Sequence, residues 1–472
     1  MKDWFEHILF HTRAQPQKPA LVMEDRVVTY GMLGTGIERC ARRIAAAKLD
    51  SDNPVAVMVG NPIRHLTLCL ALHRAGVPSV SLERDQAHIV GPALAAVLGD
   101  RAAMHSVAPG NRIIQATDEW FGADAPDSAV LPLGFSSNQD ISRISLTSGS
   151  TGAPSRVPHS VEGVGQRILE KILGCVDASR TGVLCLPGLS SILGFSTSLA
   201  TLTAGRTLYL AEQLPQAIRM IELYSIDVAL MSTEQLLDLT RVARKMAAGL
   251  ASLRAVWIGG STATRPLLEA ATTYVCRDIF VRYGVSEVGM LARTTARALL
   301  AEPTLVGDVA PGVEVAAFDA QGHRLPPGET GILKRRRDSE DGAPWIELGD
   351  IGWVTADRKL HVAGRIGEAE AGARGLSPIH EIEHLVRLTW DVDGAAAILH
   401  GAGDTAELWV GTFSLTQGFW IKPGEVEALA RRHGIRHPIK EFSLPNIPRG
   451  INGKVNREQV KEQMLRMAAA SR

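Results

Sequence analysis

A chain of 472 residues exceeds one ordinary hydrophobic core and is expected to divide into two or three domains. Its 50 Lys plus Arg balance 50 Asp plus Glu, so no net field gathers nucleic acid or an anionic membrane, and 45% hydrophobic with 21% charged residues is a soluble globular composition. Five scattered cysteines (Cys40, Cys69, Cys175, Cys185, Cys276), without metal spacing, fit reduced thiols in a cytoplasm better than a disulfide framework.

Met1-Lys2-Asp3-Trp4-Phe5-Glu6-His7 mixes acids with apolar residues and lacks a signal-peptide core. A helix is expected there, then strands at Ala20-Leu21-Val22-Met23 and Val27-Val28-Thr29-Tyr30, then a helix over about 31–48. Gly34 and Gly36 lack the third glycine of a dinucleotide loop, because Arg39 stands in its place. Val55-Ala56-Val57-Met58-Val59 and the run at Val77-Pro78-Ser79-Val80 read as strands. Leu66, Cys69, Leu70 and His73 share a helix face between them, which is the grammar of a parallel sheet.

Ile144-Ser145-Leu146 then runs into Thr147-Ser148-Gly149-Ser150-Thr151-Gly152-Ala153-Pro154, a strand opening into a loop of hydroxyls and glycines. Such a loop folds into a nest of backbone N–H groups suited to a phosphate chain, although it lacks the lysine of a Walker loop. A second round of buried strands follows at Val183-Leu184-Cys185-Leu186, Thr207-Leu208-Tyr209-Leu210, Val228-Ala229-Leu230-Met231 and Ala255-Val256-Trp257-Ile258, with helices between. The uncharged span 181–205 contains Pro187 and several glycines, so it reads as a strand, a pocket-lining loop and a packed helix and not as a membrane span. Past Glu287 the pattern turns to short antiparallel strands with turns at Gly322 and Pro326-Pro327-Gly328. After Gly364-Arg365 a smaller domain of roughly a hundred residues is expected.

The run from Thr147 to Gly152 resembles the phosphate-binding signature of the adenylate-forming superfamily, which comprises acyl-CoA synthetases, the adenylation domains of peptide synthetases, and luciferases. Four further motifs of that family stand in its order: Tyr283-Gly284-Val285-Ser286-Glu287, Gly349-Asp350, Gly364-Arg365, and Pro448-Arg449 followed by Asn452-Gly453-Lys454-Val455-Asn456-Arg457. The resemblance implies an α/β protein with a large N-terminal domain over 1–365. That domain would hold two doubly wound α/β subdomains and a small β-barrel near 300–365, and a mobile α+β domain over 366–472 would carry the lysine loop.

It further implies ATP-dependent activation of a small-molecule carboxylic acid as an acyl-adenylate, release of pyrophosphate, and transfer to a thiol, that of CoA first. Thr147, Ser148, Gly149, Ser150, Thr151 and Gly152 would hold the phosphates, Glu287 would bind Mg²⁺, and Ser286 would contact the α-phosphate. Tyr283 and Gly284, with Gly259-Gly260-Ser261, would meet adenine. Asp350 and Arg365 would hold the ribose, and Lys454 would bridge carboxylate and α-phosphate as a catalytic point charge.

Three departures stand out. Ser155-Arg156 replaces the family's Lys-Gly, Gly367 aligns with its hinge position, and Phe195-Ser196 would replace the Phe-Asp of amino-acid-activating relatives. The missing carboxylate disfavours α-amino acids. A ligase that loads the phosphopantetheine of a carrier protein and a degenerate nucleotide-binding relative remain as alternatives.

Overall fold

A computed structural model describes residues 4–49, 52–83, 94–101, 110, 112–121, 131, 134–147, 155–245, 250–337, 344–366, 377–401, 406–416, 418–449 and 455–470. Ser148, Gly149, Ser150, Thr151, Gly152, Gly367 and Lys454 lie outside them, as does the side chain of Thr147. The chain forms two compact units, Met1–Met231 with Gly249–Ala255, and Ser232–Ala248 with Val256–Arg472.

The first unit opens with α1 (Trp4–Ala14), the hairpin of β1 (Pro19–Met23) and β2 (Arg26–Thr29), and α2 (Tyr30–Ala46), whose N-cap Thr29 accepts from the Met32 amide. A Cβ at Gly34 would stand 2.7 Å from the Thr12 Cβ, so this glycine serves the close approach of α1 and α2. Next come β3 (Val55–Met58), α3 (Pro62–Arg74), β4 (Ser79–Ser81), β5 (Ala96–Gly99), β6 (Ile113–Gln115), β7 (Ile141–Thr147) and β8 (Ser155–Ser160). Their sheet has the order β6-β5-β3-β4-β7-β8 and is parallel except for the final pair. Every residue of β3 and β5 is buried, which is why both read as unbroken apolar runs.

The second round comprises α4 (Val161–Lys171), β9 (Gly182–Cys185), α5 (Ile192–Thr203), β10 (Thr207–Leu210), α6 (Leu214–Tyr224) and β11 (Val228–Ser232). Its strands lie in the order β11-β9-β10-β1-β2, parallel until the β1–β2 hairpin. The uncharged span resolves as β9, a loop and the buried α5. No helix among the described residues is long and apolar enough to cross a membrane.

The second unit begins with α7 (Thr233–Lys245), β12 (Ala255–Gly259), α8 (Arg265–Tyr274), β13 (Ile279–Val285), β14 (Gly289–Thr295) and α9 (Ala296–Ala301). Then follow β15 (Leu305–Val309), β16 (Val313–Phe318), β17 (Gly331–Arg337), β18 (Ile346–Val354) and β19 (Lys359–Arg365). The order β16-β17-β18-β19-β15-β14-β13-β12 is antiparallel from β13 onward. Strands β14 to β19 each contribute to one core of Leu291, Val309, Val315, Leu333, Leu348 and Leu360, so the sheet curls around its own apolar face.

The remaining elements are α10 (Pro378–Thr389), β20 (Gly394–His400), β21 (Glu407–Phe413), α11 (Glu425–Arg432), β22 (Ile439–Ser443) and α12 (Arg457–Ala470). The sheet β20-β21-β22 carries a core on each face. Ile382, Val386 and Leu429 pack on one side, and Val460 and Met464 pack on the other. Buried Arg387 of α10 pairs with Glu234 and with Asp238 (2.6 Å) on α7, and His384 shares a hydrogen bond with the Thr264 hydroxyl (2.8 Å). The two charges of α7 answer the guanidinium, so the partners compensate one another despite burial.

Candidate active site

Strand β7 is parallel to β4 and ends at Thr147, so the hydroxyl-rich loop leaves from the carboxyl end of a parallel strand. It returns as β8, where Ser155 faces Thr147 and Arg156 faces Leu146. Arg156 is exposed and has no hydrogen-bond or ion-pair partner among the described residues, leaving its charge available beside the loop. Pro158 is accommodated because β8 is an edge strand, and Ser160 then caps α4 by accepting from the Gly163 amide at 3.1 Å.

In the second unit three of the predicted residues converge. Antiparallel pairing of β18 with β19 sets Asp350 directly opposite Arg365, and Arg365 Nε stands 3.3 Å from Asp350 Oδ1. Tyr283 on β13 donates its hydroxyl to Asp350 Oδ2 at 2.6 Å. Asp350 is 5% exposed. Burial, and then the Asp350 charge, push the Tyr283 pKa well above the usual phenol value, which keeps the hydroxyl a donor. Gly349 adopts φ +75°, and a Cβ there would sit 3.0 Å from Arg365 Nη1, so glycine both permits the turn of the strand and admits the guanidinium.

Ser286 and Glu287 lie in the tight turn between β13 and β14, with Glu287 exposed and Ser286 half-buried. Glu287 is therefore on a hairpin. Gly284 is obligatory there, because a Cβ would stand 2.1 Å from the Gly289 carbonyl across the hairpin. Gly284→Ala should accordingly cost about 2 kcal/mol of stability through overpacking. It should also displace the turn, read as a lower thermal midpoint together with lost pyrophosphate release. A variant that melts with the parent contradicts this steric account.

Gly259 ends β12 in full burial, and Gly260 adopts φ +98° with open space where its Cβ would be. Backbone conformation, more than room for a side chain, fixes glycine at 260. The Ser261 carbonyl is held by the buried Thr233 hydroxyl at 3.0 Å. Around the lysine loop, Arg449 and Val455 form a bridge, and the Asn456 amide donates to the Pro448 carbonyl at 2.8 Å.

Among the described residues no cluster of three or more His, Cys, Asp or Glu side chains could cage a metal. Glu287 offers one exposed carboxylate with no protein partner among those residues. That donor set fits Mg²⁺, which binds through one or two carboxylates and completes its shell with phosphate oxygens and water.

One ion pair escaped the sequence reading. Arg457 Nη1 donates to Glu383 Oε1 (2.6 Å) and to the Ala397 carbonyl (2.9 Å), and the Ala397 amide donates to Glu383 at 2.7 Å. Glu383 lies at helical spacing among Ile379, Ile382 and Val386. An acid on an apolar face demands a partner, and that was the available signal.

Residues 10–338, well over half of the chain, match the family described as AMP-binding enzyme. The chain belongs to that family. It is an AMP-forming acid–thiol ligase, working with ATP and Mg²⁺. Among AMP-binding enzymes it is 24% identical to a fatty acid–[acyl-carrier-protein] ligase of Streptomyces coeruleorubidus, over 96% of this chain and 95% of that protein. It is 21% identical to a 2-succinylbenzoate–CoA ligase of Listeria monocytogenes, over 98% and 99%. The AMP complex of O-succinylbenzoate coenzyme A synthetase from Bacillus subtilis superposes with a TM-score of 0.78 at 18% identity, covering 96% of this chain and 98% of that one. An amide bond synthetase from Marinactinospora thermotolerans gives 0.76 at 22% identity, over 98% and 99%. The likeness to the solved structures bears out the α/β fold expected from the motifs.

Proposed function

We propose that this ligase joins a carboxylic acid to CoA and that the residues named from its motifs carry the reaction. The observation that carries the nucleotide roles is the convergence of Tyr283 and Arg365 on buried Asp350. A carboxylate accepts from several donors at once, so a ribose hydroxyl can join Tyr283 and Arg365 on it. Arg365 and Tyr283 hold the carboxylate in one orientation. Tyr283 gains a second role beside the adenine contact expected of its ring. Its hydroxyl positions Asp350, whatever its ring does against adenine.

Joining a carboxylate to a triphosphate brings two anions together, so positive potential and positioning carry the barrier. In our reading Thr147, Ser148, Gly149, Ser150, Thr151 and Gly152 receive the phosphates on backbone and hydroxyl donors, with the exposed Arg156 nearby in sequence. Glu287 would hold the Mg²⁺ that offsets phosphate charge, Ser286 would touch the α-phosphate, and Gly259, Gly260, Ser261 and Gly284 would border the base. Lys454 would bring a compact ammonium to the reacting oxygens. We assign residues 1–365 to the nucleotide-binding domain and 366–472 to a smaller domain bearing the lysine. Five free, buried cysteines suit a reducing cytoplasm.

Pyrophosphate release across a carboxylic-acid panel, with and without CoA, tests this reading. Release that is stimulated by CoA and accompanied by acyl-CoA supports it. Acyl transfer only to a carrier phosphopantetheine would replace CoA by a carrier, a class to which the Streptomyces relative belongs by name. Absence of pyrophosphate with every acid would favour the degenerate relative. Tyr283→Phe should raise KM for ATP by about tenfold or more, the loss of one hydrogen bond to a charged group, with kcat nearly kept. An unchanged KM would remove Tyr283 from the ribose site.

A further inference from the structure

Arg143 projects from β7 into the interior of the first unit with 1% of its surface exposed. Its Nη2 donates to Ser81 Oγ at 2.6 Å and to the Leu189 carbonyl at 2.8 Å, and its Nη1 donates to Ser79 Oγ at 3.3 Å and Cys69 Sγ at 3.6 Å. The register of β4 with β7 places Ser79 opposite Arg143. The guanidinium carbon stands 4.1 Å from the ring centroid of Phe195, in the first turn of α5. Behind Ser81 lies His65, whose Nδ1 meets the Val59 carbonyl at 3.1 Å and must be the protonated nitrogen. His65 Nε2 therefore accepts the Ser81 proton at 2.5 Å, which turns the Ser81 oxygen toward Arg143 as an acceptor.

Every one of these partners is neutral. Burial pushes the Cys69 thiol up, against the pull of Arg143, so no thiolate offsets the charge. No carboxylate pairs with Arg143 among the described residues, and Arg143 Nε has no hydrogen-bond partner there. The positive potential reaches β8. Burial first, then Arg167 and Arg143, lower the pKa of His159 to about 3 and keep it uncharged. A buried cation lacking an anion is costly, and folded chains avoid it unless something supplies the missing charge.

The loop and helix that Arg143 touches, at Leu189 and Phe195, are those the sequence marks as lining a pocket. Ser196 there gives no carboxylate for a substrate ammonium, and Arg143 beneath Phe195 opposes one. We propose that Arg143 is a specificity-determining residue that selects carboxylic acids whose far end bears a second anionic group. That group is received by the guanidinium and the Ser79 hydroxyl in place of the Leu189 carbonyl. This rests on the acid-activating function proposed above.

Two series isolate the tail: hexanoate, adipate and 6-aminohexanoate, and benzoate, terephthalate and 4-(aminomethyl)benzoate. With ATP and the full-length enzyme, the tail-carboxylate member of at least one series should exceed its neutral counterpart in kcat/KM for pyrophosphate release by about tenfold or more, and the ammonium member should be the poorest. Arg143→Leu should abolish that ratio and raise the rate with the neutral acid. Arg143→Lys keeps the charge but loses the fork, so it should lower the ratio without erasing it, and it serves if the leucine variant does not fold. A parent enzyme preferring neutral tails in both series, or a ratio unchanged in both variants, overturns the proposal. Pyrophosphate with many acids but no tail preference strikes this inference alone. No pyrophosphate with any acid strikes the underlying function, and the inference falls with it.

Discussion

Lys454→Ala should lower acyl-adenylate formation by at least about a hundredfold, roughly 3 kcal/mol of transition-state stabilisation, the cost of removing one positioned electrostatic donor. ATP binding should survive, because in our reading the ribose is held by Asp350, Arg365 and Tyr283, and these do not depend on the lysine. The two effects separate cleanly in one experiment that pairs pyrophosphate release under saturating ATP with a direct ATP-binding titration. Lys454→Arg should recover little, since a planar fork cannot put a point charge between two oxygens that a compact ammonium reaches. Undiminished pyrophosphate release by the alanine variant would transfer the catalytic role elsewhere and leave the loop a structural turn.

The parallel strands were readable because burial on both faces forces continuous apolar runs, as in β3 and β9. The end of the chain was harder to read. Strand β22, Ile-Lys-Glu-Phe-Ser, buries only Phe442, and α12 buries only Val460 and Met464, so neither carries the periodicity that betrays an element. The site was legible as separate motifs but not as a constellation. Asp350 and Arg365 stand in different motifs, and only the antiparallel register of β18 and β19 makes them neighbours. The hydrogen bond from Tyr283 is a tertiary fact of the same kind. Arg143 was hidden for the opposite reason: a charged residue two places into an apolar strand reads as a surface position until the structure buries it.

Arg457→Met should destabilise the region of α10, β20 and α12 by about 3 to 5 kcal/mol, the range for removing one partner of a buried ion pair. The reason is geometric. Glu383 is 5% exposed and accepts from Arg457 and the Ala397 amide, with His380 Nδ1 3.5 Å from Oε2. Burial raises its pKa, but Arg457 and His380 outweigh burial and bring it from an ordinary 4.5 to about 2.

A carboxyl whose folded pKa is depressed contributes stability that is complete above the unfolded value and is lost as pH falls through the folded one. In the parent, that contribution should fade between about pH 4.5 and 2, on the order of 3 kcal/mol over the window. Without Arg457 the buried carboxylate has lost its main counter-charge, so its pKa rises above the unfolded value and the sign reverses. The methionine variant should then gain stability relative to the parent as pH drops from 7 toward 5. Hydrogen exchange of the β20 amides against pH reads this locally, where a global melt of a two-unit chain would blur it. Glu383→Gln in the same background should flatten the pH dependence and recover part of the loss. Parallel pH profiles for parent and Arg457→Met would show that the pair does not govern the charge of Glu383.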